Sequence, residues 1–275
     1  MNHDPPPLQQ LKDLLMRSGG MVLSYSGGLD STFLAVIAHE ETGGLERCVI
    51  LDSPLLPRRT VRDAMQRAAA FGFPCEVVPF PALDDPEFLQ NPVNRCYLCK
   101  KRGAEILWRK AAEYGVSVVM DGVNHSDYKE FRPGIAAADE AGILHPLALC
   151  GLTKPMIREL AKERGYPFWN LPSTPCLATR IPYGDLITSR DLAHIEKAEE
   201  FIVTAGFPDV RDRKHDALAR IEVPKDDIPR LLENRERISR RIHELGFEFC
   251  TVDLEGLISG SMDRKIHPGK KKPGQ

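Results

Sequence analysis

Ser26-Gly27-Gly28-Leu29-Asp30-Ser31 follows a short apolar run, Met21-Val22-Leu23-Ser24-Tyr25. It precedes a stretch with helical spacing over residues 32–41, in which Phe33, Leu34, Ile37 and Ala38 fall on one face. A strand, a tight Ser/Gly turn and a helix in that order predict an anion cradle at the first strand-to-helix junction of an α/β pattern. The two glycines let backbone come close to an anion. The first N–H groups of the helix point at it, with the positive end of the helix dipole behind them. Ser26 and Ser31 add hydroxyl donors, and Asp30 is a carboxylate suited to magnesium. No Gly-x-x-x-x-Gly-Lys-Ser/Thr is present, so this is not the ordinary P-loop. The plainer reading is a Gly-Gly turn that merely links a strand to a helix. It accounts for the glycines but not for the whole hexapeptide at this junction.

Working outward, residues 11–18 predict a leading helix. Strands are expected at 22–25, 48–51, 75–80 and 116–120, and helices at 60–71, 101–114 and 153–165, the last with Thr153 as N-cap. Alternation of this kind predicts a parallel, doubly wound sheet. Ligands of such sheets sit beyond the C-terminal strand ends, where Ser26, Asp52, Ser53 and Gly122 fall. After about residue 185 the pattern changes to a helix at 189–205, a strand at 219–223, a helix at 228–245 and a strand at 247–254. The expected division is therefore an α/β domain over 1–185 and a smaller C-terminal α+β domain over 186–275. Pro182 and Gly184 mark the joint.

The chain has 275 residues, 42% of them hydrophobic, and a formal net charge of −2. No overall basic field points to nucleic acid. Lys270-Lys271-Lys272, flanked by Pro and Gly, reads as a solvated end. No apolar run reaches the roughly 18 residues of a membrane span, and Met1-Asn2-His3-Asp4-Pro5-Pro6-Pro7 is not a signal peptide. Seven cysteines, an odd number, favour a reducing, cytoplasmic setting in which thiols serve chemistry or metal.

Asn94-Arg95-Cys96-Tyr97-Leu98-Cys99-Lys100 is the second signal. A lone Cys-x-x-Cys is a metal site, a redox pair or a coincidence, and this one is expected just before a helix, where N–H groups lower a thiol pKa. No second Cys-x-x-Cys or His pair completes a four-ligand zinc site. Cys176 lies in Leu171-Pro172-Ser173-Thr174-Pro175-Cys176-Leu177-Ala178-Thr179-Arg180-Ile181-Pro182-Tyr183-Gly184, a setting unlike that of a packing residue, with Arg180 placed to lower its pKa or to bind an anion. Three thiolates, Cys96, Cys99 and Cys176, would leave one iron of a cubane cluster open. Cys48, Cys75, Cys150 and Cys250 lie in or beside apolar runs and read as buried, inert thiols. After the fourth strand, Asp127 and Arg132 suit metal and phosphate, or else a polar surface loop. Lys154, at a helix start, suits pyrophosphate or plain solvation. Arg211 and Arg213 sit in a basic cluster ahead of the strand carrying Arg220 and Glu222. That cluster is either a solvated edge or a site for phosphate and carboxylate.

The hexapeptide resembles the pyrophosphate-binding loop of the PP-loop ATPases, which include GMP synthetase, NAD synthetase, asparagine synthetase and the tRNA thiolases. That resemblance implies ATP cleaved between its α and β phosphates, AMP placed on a substrate oxygen, and displacement by a nucleophile. With segments 121–134, 151–158, 175–184 and 211–222 added, the chain resembles the LarE family of ATP-dependent sulfur transferases. The resemblance implies adenylation of a carboxylate of pyridinium-3,5-biscarboxylic acid mononucleotide and its conversion to a thiocarboxylate for a nickel-pincer cofactor. It implies ATP and Mg2+ at Ser26, Gly27, Gly28, Asp30, Ser31, Asp52, Ser53, Gly122, Asp127, Arg132 and Lys154. Arg180, Arg211 and Arg213 are implied for the substrate, and Cys176, Asp30 and Glu222 for catalysis. One branch of the family sacrifices its cysteine sulfur. Another holds a 4Fe-4S cluster on three cysteines, and Cys96, Cys99 and Cys176 resemble that branch. The sulfide donor is open, and a homo-oligomer is compatible with the pattern. The competing readings are a cluster-dependent tRNA thiolase, which needs a basic surface, a non-catalytic ATP-binding module, and an amidotransferase, for which no attached glutaminase domain is visible.

Overall fold

The computed structural model describes residues 4–130, 132–173, 175–258 and 260–265. The chain divides into two compact units. The first comprises Met1–Ala82 and Asn94–Thr174, the second Leu83–Val93 and Pro175–Gln275.

In the first unit the order is α1 (Pro6–Ser18), β1 (Met21–Ser24), α2 (Leu29–Glu40), β2 (Leu45–Asp52), α3 (Arg58–Phe71) and β3 (Cys75–Pro79). The short α4 (Pro86–Leu89) belongs to the second unit. The first resumes with α5 (Arg95–Glu113), β4 (Val119–Asp121), α6 (Pro133–Glu140), α7 (Pro146–Leu149) and α8 (Lys154–Glu163). The sheet is wholly parallel in the order β3-β2-β1-β4. Its central strands are apolar on both faces, as a sheet covered on both sides requires. Met21, Leu23, Cys48, Ile50 and Met120 face a core shared with Leu8, Leu11 and Leu15 of α1, most of α2, and Ile157 and Leu160 of α8. Val22, Val49 and Val119, offset by one residue, face Ala104, Leu107 and Ala111 of α5. The chain leaves β1 toward β2 and β3, then returns to place β4 on the other side of β1. That reversal makes the C-terminal ends of β1 and β4 the topological switch point, the usual ligand position in such sheets.

The second unit continues with α9 (Ser189–Thr204), β5 (Arg211–His215), β6 (Leu218–Glu222), α10 (Ile228–Glu233), α11 (Arg235–Glu244) and β7 (Phe249–Val252). Its sheet is mixed: β5 and β6 are antiparallel, β6 and β7 parallel. Leu192, Ile195, Ala198 and Ile202 form the buried stripe of α9. The fold is thus a parallel α/β unit with a smaller α+β unit.

Several boundaries differ from the sequence reading. The units part at Thr174/Pro175 rather than at 185, and 83–93 join the second. The cause is a set of backbone bonds that tie this stretch to 181–187: Gly184 N–H donates to the Asn91 carbonyl, Ile187 N–H to that of Leu89, and the Asn91 amide to those of Ile181 and Pro182. Helix α5 starts at Arg95, not near 101, so Cys96 and Cys99 lie inside its first turns and not ahead of them. Residues 228–245 form two helices that break at Asn234. Thr153 holds the cap position of α8, but its hydroxyl makes no cap bond.

Candidate functional site

The hexapeptide occupies the turn between β1 and α2, with Gly28 at the helix cap and Leu29 as its first residue. Gly27 has φ +72°, a left-handed conformation that glycine adopts at little cost. A Cβ there would lie 2.4 Å from Ala64 Cβ, so α3 packs directly on the turn. The Ser26 and Ser31 hydroxyls are 3.0 Å apart, and Gly28 N–H donates to Ser26 Oγ at 3.3 Å. The loop therefore holds both hydroxyls together at the start of a twelve-residue helix.

Gly122 follows β4 and meets this helix start. A Cβ on it would stand 2.8 Å from Ser31 N and 2.9 Å from Ser31 Cα. Next to it, Asp121 is buried and bound to Lys100 Nζ at 2.7 Å and His145 Nδ1 at 2.6 Å. Burial pushes the Asp121 carboxyl up, but the Lys100 charge and the His145 contact outweigh it and hold the group at about 2. Burial likewise disfavours charge on His145, and its bond to Asp121 more than offsets that, raising its pKa.

Asp30 and Lys154 meet at 3.1 Å through Oδ2, whereas Asp30 Oδ1 is buried without a hydrogen-bond partner. An orphaned carboxylate oxygen in a phosphate-type loop is a fitting ligand for a hard cation. Asp127 is buried, caps Asn124 N–H at 3.0 Å and pairs with Arg132 at 3.0 Å. Burial raises its pKa, and the negative charge of Asp30 adds to the rise against the pull of Asn124 N–H and Arg132. Asp52 ends β2 and Ser53 follows it. Arg58 pairs with Asp52 at 2.6 Å and donates to the Ser53 carbonyl at 2.6 Å, so this strand end is braced by α3.

In the second unit, Cys176 is half-buried and caps a 3-10 turn, Leu177–Arg180. Its carbonyl accepts from Thr179 N–H at 3.0 Å and from Arg180 at 3.2 Å. Arg180 is fully buried. It grips both carboxylate oxygens of Glu199, at 2.8 and 2.9 Å, and reaches the Pro175 carbonyl at 2.9 Å. Arg180 is thus spent on bracing the Cys176 loop. Arg213 holds Glu222 Oε2 and the Thr179 carbonyl. Glu222, fully buried, also receives Arg220 at 3.2 Å and Ser261 at 2.9 Å. Burial, then the charges of Arg180 and Arg213, push Arg211 down to about 10. The charge of Glu199 opposes that fall.

None of the seven cysteines forms a disulfide. Cys96 is exposed, and Cys99, three residues on in α5, is half-buried. Both belong to the first unit and Cys176 to the second. Among the described residues no three His, Cys, Asp or Glu side chains converge on a metal-sized point. The remaining cysteines behave as packing thiols: burial pushes Cys75 up to about 12 and Cys250 up to about 11, and raises Cys48 and Cys150 too.

Sequence reading missed Glu199, His145 and Lys100. A signal existed for Glu199, because it falls on the apolar stripe of α9 between Ile195 and Ile202, where a carboxylate needs a cationic partner. The others meet their partners only through the fold. Among the described residues no helix is long and apolar enough to cross a membrane.

No family model matches the chain. It is 34% identical over 261 residues to an uncharacterized protein of Synechocystis, covering 94% of this chain and 97% of that one. Pyridinium-3,5-bisthiocarboxylic acid mononucleotide synthase of Lactiplantibacillus plantarum is 33% identical over 254 residues, 92% and 91% of the two chains. A glutamine-hydrolyzing GMP synthase of Aeropyrum pernix is 27% identical over 205 residues, 66% of this chain and 38% of its own. One-third identity to the Lactiplantibacillus enzyme over nearly the full length of both chains, on a parallel sheet whose first turn carries the Ser/Gly/Asp loop, places the chain in the LarE family of sulfur transferases, within the PP-loop ATPases.

Proposed function

We propose that this chain is an ATP-dependent sulfur transferase that adenylates a carboxylate of pyridinium-3,5-biscarboxylic acid mononucleotide and converts it to a thiocarboxylate, a step toward a nickel-pincer cofactor. The observation that carries the reading is the orphaned Asp30 Oδ1 at the serine-lined helix start, with Lys154 on its other oxygen. Ser26, Gly27, Gly28 and Ser31 hold pyrophosphate through N–H and hydroxyl donors, and Lys154 neutralises it. Asp30 and Asp127 are the carboxylates that would hold Mg2+, which would screen phosphate charge. Asp52, Ser53, Gly122 and Arg132 line the nucleotide.

The substrate carboxylate attacks the α-phosphorus, the bond to the β-phosphate breaks, and pyrophosphate leaves. Sulfide then attacks the acyl carbon and AMP departs with the electron pair of the broken C–O bond. Arg211 and Arg213 receive the phosphate and carboxylates of the mononucleotide, and Glu222 fixes Arg213. Arg180 acts as a positioning residue for the Cys176 loop. Cys96, Cys99 and Cys176, none of them in a disulfide, are the thiols that would hold a 4Fe-4S cluster in this reading. Such a cluster would supply sulfide at an iron without a protein ligand.

Intact-mass spectrometry after one turnover tests the sulfur source. The reading predicts an unchanged Cys176 and loss of sulfur transfer in each of Cys96→Ala, Cys99→Ala and Cys176→Ala. A dehydroalanine at position 176 would overturn the cluster.

A further inference from the structure

Arg67 stands one turn beyond Ala64 on α3, the helix that packs on the phosphate loop. Helical side chains lean toward the N-terminus, so Arg67 lies back over the turn of Ala64 and therefore over Gly27. Its NH2 nitrogen is 3.5 Å from where a Gly27 Cβ would sit. Its charge also reaches Tyr25, the residue before the hexapeptide. Arg67 Nε is buried and has no hydrogen-bond partner. Among the described residues the guanidinium makes no ion pair, unlike Arg58 on the same helix, which pairs with Asp52. A partly buried cation without a counter-charge is costly unless a ligand supplies one.

We propose that Arg67 is a second cation of the phosphate loop, contacting the pyrophosphate portion of the nucleotide from the α3 side while Lys154 stands at Asp30. The inference rests on the ATP reading above and adds a residue to it. Arginine suits the role because its planar fork can meet two phosphate oxygens at once. A structural alternative, in which Arg67 only packs against Tyr25, makes a different prediction. It affects stability and all ligands alike.

Calorimetric titration of the full chain with MgATP, magnesium pyrophosphate and AMP separates the two. In Arg67→Gln, affinity for ATP and pyrophosphate should fall by about tenfold or more, the loss expected for one charge-assisted contact. AMP, which lacks the β and γ phosphates, should bind within about twofold of wild type. Arg67→Lys keeps the charge without the fork and should fall between the two; it carries the same comparison if Arg67→Gln does not fold. Unchanged pyrophosphate affinity in a folded variant overturns the proposal, as does an equal loss for all three ligands. A wild-type chain that binds neither ATP nor pyrophosphate overturns the ATP reading and this proposal together, whereas a binding wild type with an indifferent Arg67 overturns this proposal alone.

Discussion

Gly122→Ala isolates the contact between the end of β4 and the start of α2. The added methyl would stand 2.8 Å from Ser31 N and 2.9 Å from Ser31 Cα. Both are backbone atoms of the first helical turn, so no side-chain rotation relieves the clash. Reaching an ordinary contact of 3.4 Å requires the helix start to retreat by about 0.6 Å. Overpacking of this kind costs about 1–3 kcal/mol of stability. The catalytic effect should be separate and larger. The turn that moves carries the hydroxyl of Ser31 and the carboxylate of Asp30. A 1 Å misplacement typically costs about a hundredfold in rate, so a shift of roughly half that should cost about tenfold. ATP/pyrophosphate exchange, read beside a thermal melt, measures both. Wild-type exchange with an unchanged melting temperature would refute the claim that β4 sets the position of the loop.

Asp30→Ala should abolish ATP/pyrophosphate exchange in a folded protein, measured as label entering ATP. Arg211→Ala should weaken mononucleotide binding by about tenfold or more in a titration, with ATP affinity little changed. Asp121 should make stability acid-sensitive. Its folded pKa, about 2, lies below the ordinary 3.8, so its contribution, about 2 kcal/mol, is present above pH 4 and lost as pH falls toward 2. His145, whose pKa is raised from 6.5, contributes fully below that value and loses its share as pH rises through the folded pKa. Urea denaturation from pH 2 to 8 should therefore show a steeper acid limb for wild type than for Asp121→Asn, and matching limbs would rule this out.

The phosphate loop and the parallel sheet were legible because both are local. The hexapeptide spells out its own turn, and strands buried on both faces read as apolar runs. Strand β5 was not legible. Arg211-Asp212-Arg213-Lys214-His215 contains no apolar residue, and its turn to β6, with Asp216 at φ 51°, lacks an Asn-Gly signature. What makes it a strand is its register against β6, Arg213 opposite Arg220 and Arg211 opposite Glu222. The burial of Arg180 was not legible for a related reason. Its partner Glu199 lies nineteen residues away, and only the fold of the second unit buries the pair. Helix α5 began earlier than expected, which moved Cys96 and Cys99 from the lead-in to the helix itself.

The central claim is that ATP cleavage is spent on exchanging oxygen for sulfur on a pyridinium mononucleotide. Anaerobically prepared protein, incubated with MgATP, pyridinium-3,5-biscarboxylic acid mononucleotide and sulfide, tests this by mass spectrometry of the small molecules alongside a pyrophosphate assay. The account predicts a product heavier by the difference between sulfur and oxygen for each carboxylate converted, with one pyrophosphate released per exchange and none without the mononucleotide. Pyrophosphate release that ignores the mononucleotide, or a mononucleotide of unchanged mass, would contradict it.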